Sequence, residues 1–131
     1  MSNRLVSLTA CYLTNRATIA ELRDRLTSVD ALAKSVLGDR PEDPAAAALW
    51  DRLCAASGVW QIGARIEVEI KWQARLLQKI AATPARADDG IRGKLAVWRV
   101  LHDPDEADLL LDSIMEDCRQ QRHPQRRRAA A

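Results

Sequence analysis

Phenylalanine is absent from this 131-residue chain, and tyrosine occurs once. Large apolar anchors must therefore come from the four tryptophans, Trp50, Trp60, Trp72 and Trp98. The default expectation places all four in the core, with each indole N–H at its edge. A tryptophan left outside marks a partner surface instead, and Trp60 and Trp72 are the candidates for that role.

Histidine is nearly as scarce, with His102 and His123 alone. Neither belongs to H-E-x-x-H, and no Glu-x-x-His pair exists for a carboxylate-bridged metal centre. His102 beside Asp103 and Asp105 reads as a turn histidine next to a helix cap rather than a ligand. No glycine-rich phosphate loop and no nucleophile elbow occurs. The three cysteines, Cys11, Cys54 and Cys118, form no C-x-x-C. Their odd number and wide spacing suit reduced thiols in a cytoplasmic protein. The sequence therefore predicts no enzyme, no metal and no cofactor.

Long apolar runs are missing too, which excludes a membrane partner by helix insertion. Leu8-Thr9-Ala10-Cys11 matches a lipoprotein cleavage box, but the apolar stretch before it is too short for a secretory signal. The match is read as chance.

What is present is helical patterning. Leu5, Leu8, Tyr12, Asn15, Ile19, Leu22, Leu26, Val29, Ala33 and Val36 recur at steps of three and four, which puts them on one helix face. Thr18 with Glu21 makes a capping-box pattern. Either one long helix or a pair, 4–13 and 18–37, satisfies the spacing. Asn15 at a seam position is read as a cap or a break. Gly38 is the expected stop.

Asp43 as N-cap and Pro44 at the first position start the next helix, with Leu49, Trp50, Leu53 and Ala56 along it. Residues 59–82 carry two conflicting signals. Trp60 to Trp72 alternates apolar and polar, as a half-buried strand would. The same stretch shows helical spacing through Val59, Ile62, Ile66, Ile70, Ala74, Leu77 and Ile80 or Ala81. Glu67–Lys71 and Arg65–Glu69 sit at i,i+4, and strong helix formers fill 73–82. A helix is preferred, and it is the central element. On a helix Glu67 and Glu69 diverge, so they make no catalytic pair.

Thr83-Pro84 breaks the chain. Asp88 or Asp89 is expected to cap a helix that buries Ile91, Leu95, Trp98 and Leu101, or Val97 with Leu101. Arg92, Lys94 and Arg99 fall on its other face. Asp103-Pro104 opens a last helix to about residue 120, with Ala107, Leu110, Leu111, Ile114, Met115 and Cys118 inward. Acids crowd its start and arginines its end, which suits the helix dipole.

The segment IAATPARADDGIRGKLAVW, residues 80–98, joins a helix end, T-P-A and a G-x-x-x-K helix. It resembles an element of small uncharacterised bacterial helical proteins. The resemblance implies a helical fold and carries no activity.

The expected fold is all-α, a compact bundle of about five helices around the central helix near 59–82. A single helical domain is expected over 1–122, with a disordered basic tail at 123–131. The expected function is a small cytoplasmic protein-interaction module, a regulator or adaptor that self-associates or binds another protein. The alternative is a nucleic-acid-binding accessory protein that uses Arg92, Lys94, Arg99 and the tail arginines Arg126, Arg127 and Arg128. Its weak points are a net charge of only +2 and an acidic last helix.

Overall fold

A computed structural model describes residues 2–122 and shows five α-helices. They are α1 (Ser2–Leu37), α2 (Pro44–Ala56), α3 (Val59–Ala82), α4 (Asp88–Trp98) and α5 (Pro104–Arg122). No strand occurs among the described residues, so the alternation between Trp60 and Trp72 lies on a helix. The tail expected at 123–131 lies outside the described residues.

The spacing that starts at Leu5 is carried by one uninterrupted helix of 36 residues. Leu5, Tyr12, Asn15, Ile19 and Leu22 are buried along it. Asn15 therefore neither caps nor breaks α1, and Thr18 starts no second helix. Thr9 and Thr27 donate their hydroxyls to the carbonyls four residues back, Leu5 and Arg23, which accommodates them inside the helix. Gly38 then ends α1 at φ +71°, its N–H donating to the Lys34 carbonyl at 2.8 Å.

The chain divides into two compact units. Unit 1 comprises Met1–Asn15 and Trp72–Ala131, and unit 2 comprises Arg16–Lys71. Helices α1 and α3 contribute to both.

Unit 1 is built on Leu5, Tyr12, Leu76, Leu77, Ile80, Ala85, Val97, Leu110 and Ile114. On the part of α3 within unit 1 the buried residues are Leu76, Leu77 and Ile80, while Ala74 is exposed. The expected seam through Ile70 and Ala74 is thus displaced by one residue, and Glu69 and Gln73 take the half-buried places. On α4 the displacement recurs. Gly90, Lys94 and Val97 are buried, whereas Ile91 and Leu95 are only half-buried and Trp98 is exposed. On α5, Leu110 and Ile114 point inward as expected, but Asp117 takes the place expected for Cys118, and Met115 is exposed. Ala87, not an aspartate, is the N-cap of α4, so Asp88 and Asp89 lie in its first turn, where acids complement the helix dipole.

In unit 2, Asp43 caps α2 by accepting from the Ala46 N–H at 3.0 Å, with Pro44 at the first position. The connection from α1 is held by neighbouring residues of α2. The Trp50 indole donates to the Gly38 carbonyl at 3.1 Å, and the Arg40 fork meets Asp51 through two bonds of 3.1 Å. Gly58, at φ +90°, separates α2 from α3.

Candidate functional site

Unit 1 contains a closed polar cluster. Lys94 is 0% exposed and Asp117 4%. The Lys94 ammonium donates to Asp117 Oδ2 at 2.5 Å and to Ser113 Oγ at 2.8 Å. Ser113 in turn donates to the Ala81 carbonyl at 2.8 Å, in the last turn of α3. Helix ends leave backbone carbonyls without helical partners, and Ser113 satisfies one of them. The cluster thus ties the end of α3 to α4 and α5. It is a buried ion pair with a relay hydroxyl, shielded from any substrate. The expectation that Lys94 shares an outer face with Arg92 and Arg99 is therefore corrected. Those two arginines are exposed, while the lysine between them turns inward to its carboxylate.

The rotation of α4 has a steric cause. A Cβ at Gly93 would lie 2.6 Å from Thr9 Oγ1, and one at Gly90 would lie 2.9 Å from Leu5 Cδ2. The two glycines let the first part of α1 approach the backbone of α4. That contact fixes which side of α4 faces inward.

The expected tryptophan core is also overturned. Trp60 is 56% exposed, Trp72 41% and Trp98 36%. Trp50 is half-buried over the turn after α1. Aliphatic side chains and Tyr12 fill the interior instead, and none of the indoles is fully buried. In unit 1, Trp72 carries the Lys79 ammonium 5.5 Å from its ring centroid, within cation–π range. Arg126, Arg127 and Arg128 lie outside the described residues.

Unit 2 presents the larger apolar surface. Leu32 and Val36 on α1, Leu49 and Leu53 on α2, and Trp60, Val68 and Ile70 on α3 are all exposed. The hydrophobic residues buried there are Ile19, Leu22, Ala47, Cys54 and Ile66. The sequence places Leu49 and Leu53 along α2 without assigning them a face. On α2 the small side chains Ala47 and Cys54 occupy the inner stripe, which turns both leucines out. Val36, the last member of the α1 seam, is 73% exposed. Sequence periodicity placed these residues on helix faces without showing which faces would stay uncovered.

Charge in unit 2 is locally matched. Asp51 is held below the ordinary aspartate range by its hydrogen bonds from Arg40, with the guanidinium charge adding to them against partial desolvation. Arg40 is raised by the same hydrogen bonds.

Among the described residues, no three His, Cys, Asp or Glu side chains gather closely enough to hold a metal ion. None of the described helices is long and apolar enough to cross a membrane. No protein-family model, curated protein or solved structure matches the chain.

Proposed function

We propose that this protein is a small cytoplasmic protein-interaction module, acting as a regulator or adaptor, and that unit 2 carries the interaction surface. One observation supports the reading. Unit 2 leaves seven large apolar side chains exposed, Leu32, Val36, Leu49, Leu53, Trp60, Val68 and Ile70, and buries only five hydrophobic residues, two of them Ala47 and Cys54. Scattered apolar residues are ordinary on a surface, but a unit that exposes more large ones than it buries has surface left for a partner. An exposed tryptophan among them fits the residue type that dominates interface energetics.

The nucleic-acid alternative is weakened by burial of Lys94, which leaves only Arg92 and Arg99 exposed of the three bases expected on α4.

The test compares wild type with L32S/L49S/L53S in sedimentation velocity and in cross-linking within the native host. Association with a copy or another protein that the triple variant loses supports the reading. If both proteins associate identically, or neither associates with anything, unit 2 is not an interaction surface.

A further inference from the structure

We infer that unit 2 docks against unit 2 of a second copy of this chain through α3, with Trp60 of each copy seated over Gly63 of the other. The inference rests on the interaction reading above and specifies the occupant.

Three glycines lie within helices. Two are explained by neighbours in the same chain, because a Cβ at Gly90 or Gly93 would strike Leu5 or Thr9. Gly63 is different. A Cβ there would have nothing within 4 Å. It ends no helix and has no positive φ. Glycine inside a helix is less favourable than alanine by about 0.5–1 kcal/mol. Nothing within unit 2 comes close enough to require the missing side chain.

Trp60 lies one turn before Gly63 on the same helix surface, since i and i+3 are neighbours. It is 56% exposed. The one exposed tryptophan of unit 2 therefore stands beside the one helical position in that unit with no side chain. A twofold contact is self-complementary: if residue i meets j, then j meets i. Two α3 helices crossing antiparallel near residues 60–63 place each indole in the other's gap. A dissimilar partner needs only the projection or only the gap. A second copy uses both.

The surroundings suit the same occupant. Ala64, exposed beside the gap, keeps the crossing close, and Val68, 64% exposed, extends the apolar contact by a turn. Residues 16–71 carry eight basic and nine acidic side chains, a net charge of about −1, so two copies meet without strong repulsion. Along α3, Arg65 and Lys71 balance Glu67 and Glu69.

The experiment is light scattering on the full chain, coupled to size exclusion, from low micromolar to submillimolar concentration. Wild type is expected to approach twice the monomer mass. G63L fills the gap and W60A removes the projection. Each is expected to weaken dimerisation by about tenfold or more, as interface anchors do, with helical circular dichroism retained. In a C11S/C118S background, A64C is expected to give a disulfide-linked dimer on mild oxidation, and S28C is not. A wild type that stays monomeric throughout overturns the second copy as occupant. A dimer indifferent to both G63L and W60A overturns the α3 contact, and so does a monomer that holds a different protein through this face. These outcomes leave the broader interaction reading to the L32S/L49S/L53S comparison, which fails separately.

Discussion

Lys94 and Asp117, one turn-rich stretch apart on α4 and α5, face each other across 2.5 Å with no solvent contact at the ammonium. A buried pair of this kind is costly to break, because desolvation offsets its attraction when intact and an unpaired charge remains when one partner is removed. Removing one member leaves the other charged and buried. K94M and D117L are each expected to lower unfolding stability by about 3–5 kcal/mol, while K94M/D117L recovers most of the loss. Urea denaturation of the three variants checks this. Equal losses in the double and single variants would contradict it.

The glycines of α4 and α3 predict opposite outcomes for one substitution. Gly93→Ala forces a methyl against the β-branched, stiff Thr9 side chain and is expected to destabilise by about 1–3 kcal/mol. Gly63→Ala meets open space and is expected to stabilise an isolated copy by about 0.5–1 kcal/mol. Thermal unfolding at low protein concentration separates the two signs. T9A is expected to relieve part of the Gly93→Ala defect, because the nearest clash is with the Thr9 hydroxyl.

The Arg40–Asp51 bridge predicts a pH dependence confined to acid. Asp51 has a lower pKa in the folded chain than in the unfolded one. Its contribution is therefore complete above the ordinary aspartate pKa of about 3.9 and disappears as pH falls through the lower folded value. Arg40 remains charged throughout that window. D51N should differ from wild type by a constant amount near neutrality, and the two should converge in strong acid. Acid titration followed by circular dichroism, at two salt concentrations, measures it. The difference should shrink in salt, because the pair is exposed.

Ser113 offers a narrower prediction. S113A removes the hydroxyl between Lys94 and the Ala81 carbonyl. Loss of one buried hydrogen-bonding group is expected to cost about 1–3 kcal/mol. Amide exchange should quicken in the last turn of α3 before it does so in α5.

The helices themselves were legible, and their inward faces only partly so. α1 was readable because ten residues keep one 3–4 spacing, which Leu5, Tyr12, Asn15, Ile19 and Leu22 follow inward, although Thr9 is buried where Leu8 was expected. On α4 the alternative through Val97 holds, while the face through Ile91, Leu95 and Trp98 is off by one residue, because periodicity counts apolar side chains and the inner stripe includes a glycine and a lysine. Gly90 is inward because Leu5 needs the space, and Lys94 because Asp117 is there to receive it. Both reasons lie in residues more than twenty positions away. The tryptophans failed for another reason: size and hydrophobicity rank a residue without saying whether the interior has room. Leu76, Leu77, Ile80, Val97 and Leu110 fill it, and the indoles remain outside. The uncovered side of unit 2 had no local signal, apart from a helical glycine that nothing nearby explained.

Unit 1 is assembled from two pieces of chain with all of Arg16–Lys71 between them. Leu5 and Tyr12 share a core with residues that follow Trp72, and Thr9 packs beside Gly93. During synthesis, then, residues 4–15 leave the ribosome before α4 and must wait, oily side uncovered, until it has emerged. Closing so long a loop is slow, and a waiting apolar helix invites misassembly. Residues 4–15 are therefore the vulnerable part of unit 1 during synthesis, and holding chaperones should engage them until α4 is made.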